Sequence, residues 1–289
     1  MKQLPFLNDA VGHRAAVDSS TAADSRRPAI IVPVQATVPE EILGQCSAIA
    51  NTGVVDVVEW RIDAVIDCVA DESRHMAVPI DPRKLAEAVL GLAVHASTAG
   101  LPVLITLRTG FEGGNAEVSE DVYTEILRAI VTGLPDKAGI SEAMGGTAGV
   151  TWALDVEIAR RGAAELIDLA HDQGMSVVAS HHNFAGTDSA EALADTFTRM
   201  AAAGADVAKI AMMPVTRADV AGLLRATALA EETLEIPVLG ISMGRLGRTS
   251  RVMGADFGSC ATFAQLGEAS APGQIAVADL AGIIDRLYD

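Results

Sequence analysis

From Pro28 onward the chain alternates two rhythms. Short apolar runs bounded by proline, glycine or charged residues read as strands: "AIIVPVQA", "VVDVVEWRID", "LPVLITLR", "GVTWALDVEI", "GMSVVASHH", "ADVAKIAMMP", "IPVLGISM" and "ADFGSCATF". Between them lie stretches with apolar residues every three or four positions, which read as helices. "PEEILGQCSAIANTG" ends at Gly53, "PRKLAEAVLGLAVHASTAG" has its proline near the start and its glycine at the end, and "SEDVYTEILRAIVTG" opens at Ser119. "GAAELIDLAHDQG", "SAEALADTFTRMAAAG", "TRADVAGLLRATALAEE" and "QIAVADLAGIIDRLY" complete the helical set. The result is about eight strand–helix units, each long enough for a right-handed crossover between parallel strands. This count predicts a single-domain (β/α)8 barrel over residues 28–289. The alternative is a doubly wound open sheet, and it is weakened because no GxGxxG follows the first strand.

Residues 1–27 lack this patterning. They contain Pro5, Gly12, Ser19, Ser20, Thr21, Arg26 and Arg27 and no continuous apolar stretch of the kind a signal peptide needs. They read as a flexible leader, expected to be dispensable for activity and for most of the thermal stability. The glycine-rich linker from Lys137 to Gly149 reads as an exposed loop.

Side chains alternate along a strand, and here the alternation sorts apolar from ionisable residues. In "VVEWRID", Val58, Trp60 and Ile62 oppose Glu59, Arg61 and Asp63. Ile105 and Leu107 oppose Thr106 and Arg108; Leu154, Val156 and Ile158 oppose Asp155 and Glu157. Ser180 and His182 oppose Ala179 and His181, and Ala208, Ile210 and Met212 oppose Val207, Lys209 and Ala211. In a barrel the apolar set packs against the helices and the ionisable set points inward. Barrel interiors are ordinarily filled with branched aliphatics, so converging charge is costly, and function is the usual reason for it. Each residue taken singly has a plainer explanation: a solvated ion pair, a structural histidine, a lysine that snorkels to the surface. The same division on five strands is much harder to obtain by accident. Lys209 poses the sharpest case, because a buried ammonium must be paired or must give up its proton.

Composition narrows the task. The 289 residues carry a formal net charge of −17, which argues against nucleic acid or an anionic membrane as partner. An anionic substrate would require the basic residues to be concentrated locally. No run approaches the ~18 apolar residues of a membrane span. Cys46, Cys68 and Cys260 are odd in number and widely spaced, which fits neither a disulfide framework nor a zinc site and points to a reducing compartment, the cytoplasm.

The residues of the ionisable face sit in longer motifs. These are "EWRID" at Glu59–Asp63, "LRTGFEGG" at Leu107–Gly114, "SHHNF" at Ser180–Phe184, "AKIAMMP" at Ala208–Pro214, "ISMGRLGRTSRVMGADFGSCATF" at Ile241–Phe263 and "SAPGQI" at Ser270–Ile275. In their order and spacing, from about Ala29 to the C-terminus, the chain resembles the type I 3-dehydroquinate dehydratases, the Schiff-base enzymes of the shikimate pathway of aromatic amino acid biosynthesis. The resemblance implies a (β/α)8 barrel and a hydro-lyase that converts 3-dehydroquinate to 3-dehydroshikimate. It also implies a homodimer and no requirement for a metal or organic cofactor. Lys209 matches the lysine that forms an imine with the C3 ketone, and His182 the general acid/base. Glu112 matches the carboxylate that orients that histidine. Glu59, Arg61 and Arg108 match substrate-binding residues, Arg251 the arginine that holds the carboxylate, and Ser270 and Gln274 a loop that closes over the substrate.

The chemistry accounts for these residue types independently. A protonated imine is a far better electron sink than a ketone, and it requires an uncharged amine to form. Burial and neighbouring cations such as Arg61 and Arg108 are expected to lower the lysine's pKa. Histidine suits proton shuttling near neutral pH, and arginine suits bidentate recognition of an anion. Two positions depart from the family. Pro33 stands in or near the place of a serine that contacts a substrate hydroxyl, and Asn183 replaces an aspartate after the histidine. The family spacing to Phe184 selects His182 over His181, which is then expected to face the helices. Two other readings remain at this level: an aldolase- or transaldolase-like Schiff-base barrel, and a catalytically silent binding barrel.

Overall fold

Valine, isoleucine and alanine fill the strand cores, and a strand buried on both faces is what such runs specify. The computed structural model describes residues 1–7, 27–75, 80–135 and 150–288. Its strands are β1 (Ala29–Val34), β2 (Val57–Arg61), β3 (Val103–Thr106), β4 (Trp152–Glu157), β5 (Ser176–Asn183), β6 (Val207–Met212), β7 (Val238–Ser242), β8 (Ala261–Gln265) and a two-residue β9 (Ile275–Ala276). All pair in parallel, in the order β7-β6-β5-β4-β3-β2-β1-β8-β9. The sheet closes where Val238 bridges Ser259: the Cys260 amide donates to the Val238 carbonyl at 2.9 Å, and the Gly240 amide to the Ser259 hydroxyl at 3.1 Å. Closure of eight consecutive strands makes this a (β/α)8 barrel and removes the open-sheet alternative.

The helices start where the local chemistry allows. Asp81 and Ser119 cap Pro82–Leu90 and Glu120–Gly133, and Thr216 forms a reciprocal capping box with Asp219 at the start of Arg217–Thr233. Three differences from the sequence pattern are physical. The long helix expected after Pro82 breaks near Gly91 into Pro82–Leu90 and Ala93–Ala96, since glycine is a poor helix interior residue. A helix at Asp63–His75 follows β2 directly, with Asp63 acting as both the last inward residue and the first helical one. A short helix, Arg248–Val252, carries Arg251. The expected loop at Lys137–Gly149 lies outside the described residues apart from its neighbour, Val150.

Two kinds of interior result. Ile30, Val32, Val34, Val58, Trp60, Ile62, Ile105, Leu154 and Val156 pack outward with the helices, and Ala179, Ala208, Ile210 and Met212 do the same on the far side. Inside the barrel, the N-terminal ends of the strands contribute an apolar plug of Ala29, Ile31, Val57, Leu104, Ala153, Val178, Val207, Leu239 and Ala261. The ionisable residues follow at the C-terminal ends, where barrels place their sites.

The leader requires a correction over its first seven residues. Leu4 and Phe6 are buried, at 1% and 2% exposure, and join the apolar plug through a 3-10 turn at Pro5–Leu7. Lys2 reaches Glu231 at 3.4 Å. The pattern was invisible in sequence because two apolar residues separated by a proline make no period; only the open end of the barrel gives them a surface to cover. The remainder of the leader lies outside the described residues. Replacing Phe6 with alanine is therefore expected to destabilise the protein by about 3 kcal/mol, as core phenylalanine truncations do. Urea denaturation of the variant beside the intact chain measures this; an unchanged midpoint would mean that the plug holds without Phe6.

Candidate active site

The inward residues at the C-terminal strand ends surround a cleft of about 510 Å³. All nine side chains singled out in the sequence line it: Glu59 and Arg61 from β2, Arg108 and Glu112 from the segment after β3, His182 and Lys209 from β5 and β6, Arg251 from its short helix, and Ser270 and Gln274 from the loop before β9.

Arg108 is the hub. Its Nη1 lies 3.0 Å from Glu112 Oε2, 3.2 Å from Glu157 Oε1 and 3.0 Å from Ser180 Oγ, and its Nη2 lies 2.7 Å from Asp155 Oδ1. Burial opposes the charge on Arg108, but the surrounding Asp155, Glu112 and Glu157 outweigh it and raise its pKa. Burial likewise opposes the Asp155 carboxylate, and Arg108, Lys209 and the Ser180 hydroxyl overcome it, so Asp155 stays below the usual carboxylate range. Glu157 accepts from the amide and hydroxyl of Thr109 and from Arg160 Nε at 2.9 Å. Arg160 also donates to the Thr109 hydroxyl and stacks over Phe111 and Tyr123.

The turn that carries Glu112 needs its glycines. Gly113 has φ 79°, and a Cβ there would fall on the Phe184 ring. A Cβ on Gly114 would sit 2.0 Å from the Arg108 carbonyl oxygen. These two residues let the chain fold back tightly enough to aim Glu112 at β5. Glu112 Oε2 lies 2.8 Å from His182 Nδ1. Burial raises the Glu112 pKa against the pull of His181 and Arg108. Burial, with Arg108, Lys209 and Arg61 around it, holds the His182 imidazole well below its ordinary value, hence neutral.

Lys209 is 3% exposed. Its Nζ lies 3.2 Å from Asp155 Oδ2, 3.8 Å from Glu59 Oε1 and 4.7 Å from the centre of the Phe263 ring. Where the sequence suggests cations around this lysine, the nearest charges are carboxylates, which compensate a buried ammonium. Arg61 is likewise matched, by a two-pronged contact with Asp63 at 2.8 and 2.9 Å. Arg251 is different. It is 2% exposed, donates only to the Phe263 and Pro272 carbonyls at 3.4 and 3.1 Å, and makes no ion pair among the described residues. Burial alone lowers its pKa to about 10. It is a buried cation on the cleft wall with no carboxylate within ion-pair distance among the described residues. Ser270 and Gln274 hold each other, amide to side chain at 2.8 Å and side chain to hydroxyl at 2.9 Å.

One expectation is corrected. His181 does not turn into the helix layer: its Nδ1 lies 3.4 Å from Glu112 Oε1 and its Nε2 3.3 Å from Asp188 Oδ2. It sits near the end of β5, where the Glu112 turn and the following loop replace helix surface as its surroundings. Asn183, the departure from the family pattern, shapes that loop, accepting from the Ala185 and Gly186 amides and donating to Asp188 at 2.8 Å. Pro33 is buried in β1, in register with Glu59. Asp155, Glu157 and Ser180 belong to the site as well, and the alternation in "ALDVEI" and "VASHH" puts them on the inward face without marking a role for them. Thr109 and Arg160 also join it, and no periodicity marks them.

The neutral state of His182 sets a pH dependence. Below pH 6.5 the unfolded chain binds a proton at this residue that the folded chain refuses. Stability present above that pH is thus lost as pH falls towards the lowered folded value, by up to about 1.4 kcal/mol per pH unit from one group. His181, whose pKa is raised chiefly by Glu112, works in the opposite direction, so the contribution is isolated by difference. Denaturation midpoints of the parent and of His182→Gln at pH 7.5 and 5.5 are expected to show a smaller acid loss in the variant; equal losses would contradict the neutral histidine.

Known proteins resemble the chain over most of its length. The family model described as Type I 3-dehydroquinase matches residues 30–288. The 3-dehydroquinate dehydratase of Lactiplantibacillus plantarum is 36% identical over 258 residues, covering 89% of this chain and 91% of its own. That of Klebsiella pneumoniae is 35% identical over 263 residues, covering 89% and 92%. The crystal structure of the type I 3-dehydroquinate dehydratase from Clostridium difficile, carrying covalently modified comenic acid, superimposes with a TM-score of 0.73 at 28% identity, covering 91% of this chain and 93% of that one. Of the three readings open from the sequence, these matches select the dehydratase, and the chain belongs to the type I 3-dehydroquinases, hydro-lyases that dehydrate 3-dehydroquinate in the shikimate pathway.

Proposed function

We propose that Lys209 is the Schiff-base lysine of this dehydratase, that His182 moves the protons, and that Arg251 holds the substrate carboxylate. The observation that carries the assignment is that a buried lysine and a neutral, carboxylate-anchored histidine share one cleft with an arginine that makes no ion pair among the described residues. Glu112 accepts from Nδ1–H of His182, which leaves Nε2 as the basic nitrogen. Lys209 gives up a proton to His182 and attacks the C3 ketone, and the carbinolamine hydroxyl takes a proton back from His182 and leaves as water, giving a protonated imine. The imine draws electrons from the adjacent C2–H bond as His182 removes that proton, and the C1 hydroxyl departs as water after protonation. Hydrolysis of the imine then frees the enone product and restores the lysine. Asp155 and Glu59 neutralise positive charge on the Lys209 nitrogen, first as ammonium and then as iminium. Arg61 and Arg108 contact the substrate hydroxyls, and the Ser270–Gln274 loop, tied to Arg251 through the Pro272 carbonyl, closes over the bound carboxylate. Among the described residues no helix is long and apolar enough to cross a membrane. The same reading makes the enzyme a cytoplasmic homodimer, supported by its likeness to the family and testable by light scattering in solution.

Ultraviolet absorbance of the conjugated enone after addition of 3-dehydroquinate reports the activity. Borohydride added during turnover is expected to inactivate the enzyme and leave a mass increment on the peptide that holds Lys209. Lys209→Ala should abolish both, whereas His182→Ala should accumulate the covalent complex even without borohydride. A label on another lysine would overturn the assignment.

Arg251→Ala is expected to raise KM and lower kcat together, because both binding and loop closure depend on a neutralised carboxylate. Arg251→Lys should recover little, since a point charge does not reproduce the planar fork. Steady-state kinetics near those of the parent in both variants would transfer the carboxylate to Arg61 or Arg108.

A further inference from the structure

The Glu112 carboxylate has two oxygens and two histidines. Oε2 is taken by His182 Nδ1 at 2.8 Å and by Arg108 Nη1 at 3.0 Å. Oε1 is buried without a hydrogen bond among the described residues, and so is His181 Nδ1; the two atoms face each other at 3.4 Å. On its other edge His181 presents Nε2 to Asp188 Oδ2 at 3.3 Å, and Asn183 Nδ2 holds the second Asp188 oxygen at 2.8 Å. A neutral imidazole has only one N–H, so an imidazole set between two carboxylates serves both only when protonated on both nitrogens.

We propose that His181 is a positioning residue of the reaction: as an imidazolium bridging Glu112 and Asp188, it steadies the carboxylate that orients His182 and tunes His182 as a base. This rests on the assignment of His182 as the proton-transfer group. The charged groups that face His181 are Glu112 from the turn after β3 and Asp188 from the loop after β5; His182 lies beside it in the strand and Arg108 stands behind Glu112. Its β6 register neighbour is Ile210, which carries no charge. Glu112 is the largest influence holding its proton on, burial opposes, and Asp188 adds to Glu112. A charged His181 is one of the cations that disfavour a second charge on His182. His182 therefore remains a neutral base to lower pH than it would beside an uncharged neighbour. The adjacent pair "HH" is thus a division of labour: one ring faces the cleft, and the other faces the far side of the same carboxylate.

The test uses the full chain with His181→Asn, which removes the charge, and His181→Lys, which keeps it. The His182 ring is followed by NMR titration in the free enzyme, its signal identified by its absence in His182→Gln, and the pH profile of kcat is measured with 3-dehydroquinate. In His181→Asn the His182 titration is expected to move to higher pH. The acid limb of the kcat profile should follow, with severalfold more activity lost on that limb than on the plateau. His181→Lys should return both towards the parent. A His182 titration that stays in place or moves to lower pH in His181→Asn would overturn the proposal. A titration that moves while the kcat limb does not would leave His181 as the tuning group and refute instead the catalytic assignment of His182.

Discussion

The guanidinium of Arg108 ties together buried side chains from neighbouring strands and from the turn after β3. It reaches Glu112 on the turn after β3, Asp155 and Glu157 on β4, and Ser180 on β5, all within 3.2 Å. The three carboxylates are at most 1% exposed. Without a cation among them they would repel one another and take up protons, and breaking such a buried cluster by removing one member costs about 3–5 kcal/mol. The planar fork is suited to this place because it serves several oxygens in fixed directions, which an ammonium cannot do. Through Glu112 the same hub fixes His182, and through Asp155 it fixes the surroundings of Lys209.

The electrostatic design of the cleft follows from that arrangement. Arg61 is matched by Asp63, Arg108 by its three carboxylates, and Lys209 by Asp155 and Glu59. Arg251 is not matched by an acid among the described residues, and burial makes its charge costly until an anion arrives. In a chain with net charge −17, this is how an anionic substrate can be selected: an acidic surface, and a local cation whose desolvation has already occurred during folding. On the proposed assignment of Arg251 to the substrate carboxylate, binding energy comes from completing an ion pair for which the protein side is already arranged.

Polarity changes along the barrel axis. The N-terminal strand ends hold an apolar plug sealed by Leu4 and Phe6, and the C-terminal ends hold the charged cleft. The plug contributes hydrophobic stabilisation that offsets the cost of gathering so many charges in one interior. Close backbone approaches at Gly113 and Gly114 then turn the chain after β3 back over the cleft, where side chains with a Cβ could not pass.

The eight-unit barrel and its inward ionisable face were legible in the chain because strand alternation is local: Glu59 and Arg61, Asp155 and Glu157, and Ser180 and His182 each follow from a two-residue period within one segment. The nine cleft residues were legible as members of motifs, each with a chemistry that its residue type allows. What no local pattern carries is the pairing between segments. That Lys209 meets Asp155 and Glu59 rather than arginines, that Arg108 collects three acids, and that Arg251 meets none among the described residues depends on distances set when the sheet closes. His181 shows the same limit: alternation turned it away from the cleft correctly, but only the fold of the Glu112 turn across β5 put a carboxylate on that side. Leu4 and Phe6 are apolar in any reading, yet burying them required a barrel mouth whose apolar lining comes from strands distributed over the whole chain. Sequence determines which groups each strand offers to the interior. Tertiary closure decides which of them become neighbours, because electrostatic and packing energies depend on separation in space and not along the chain.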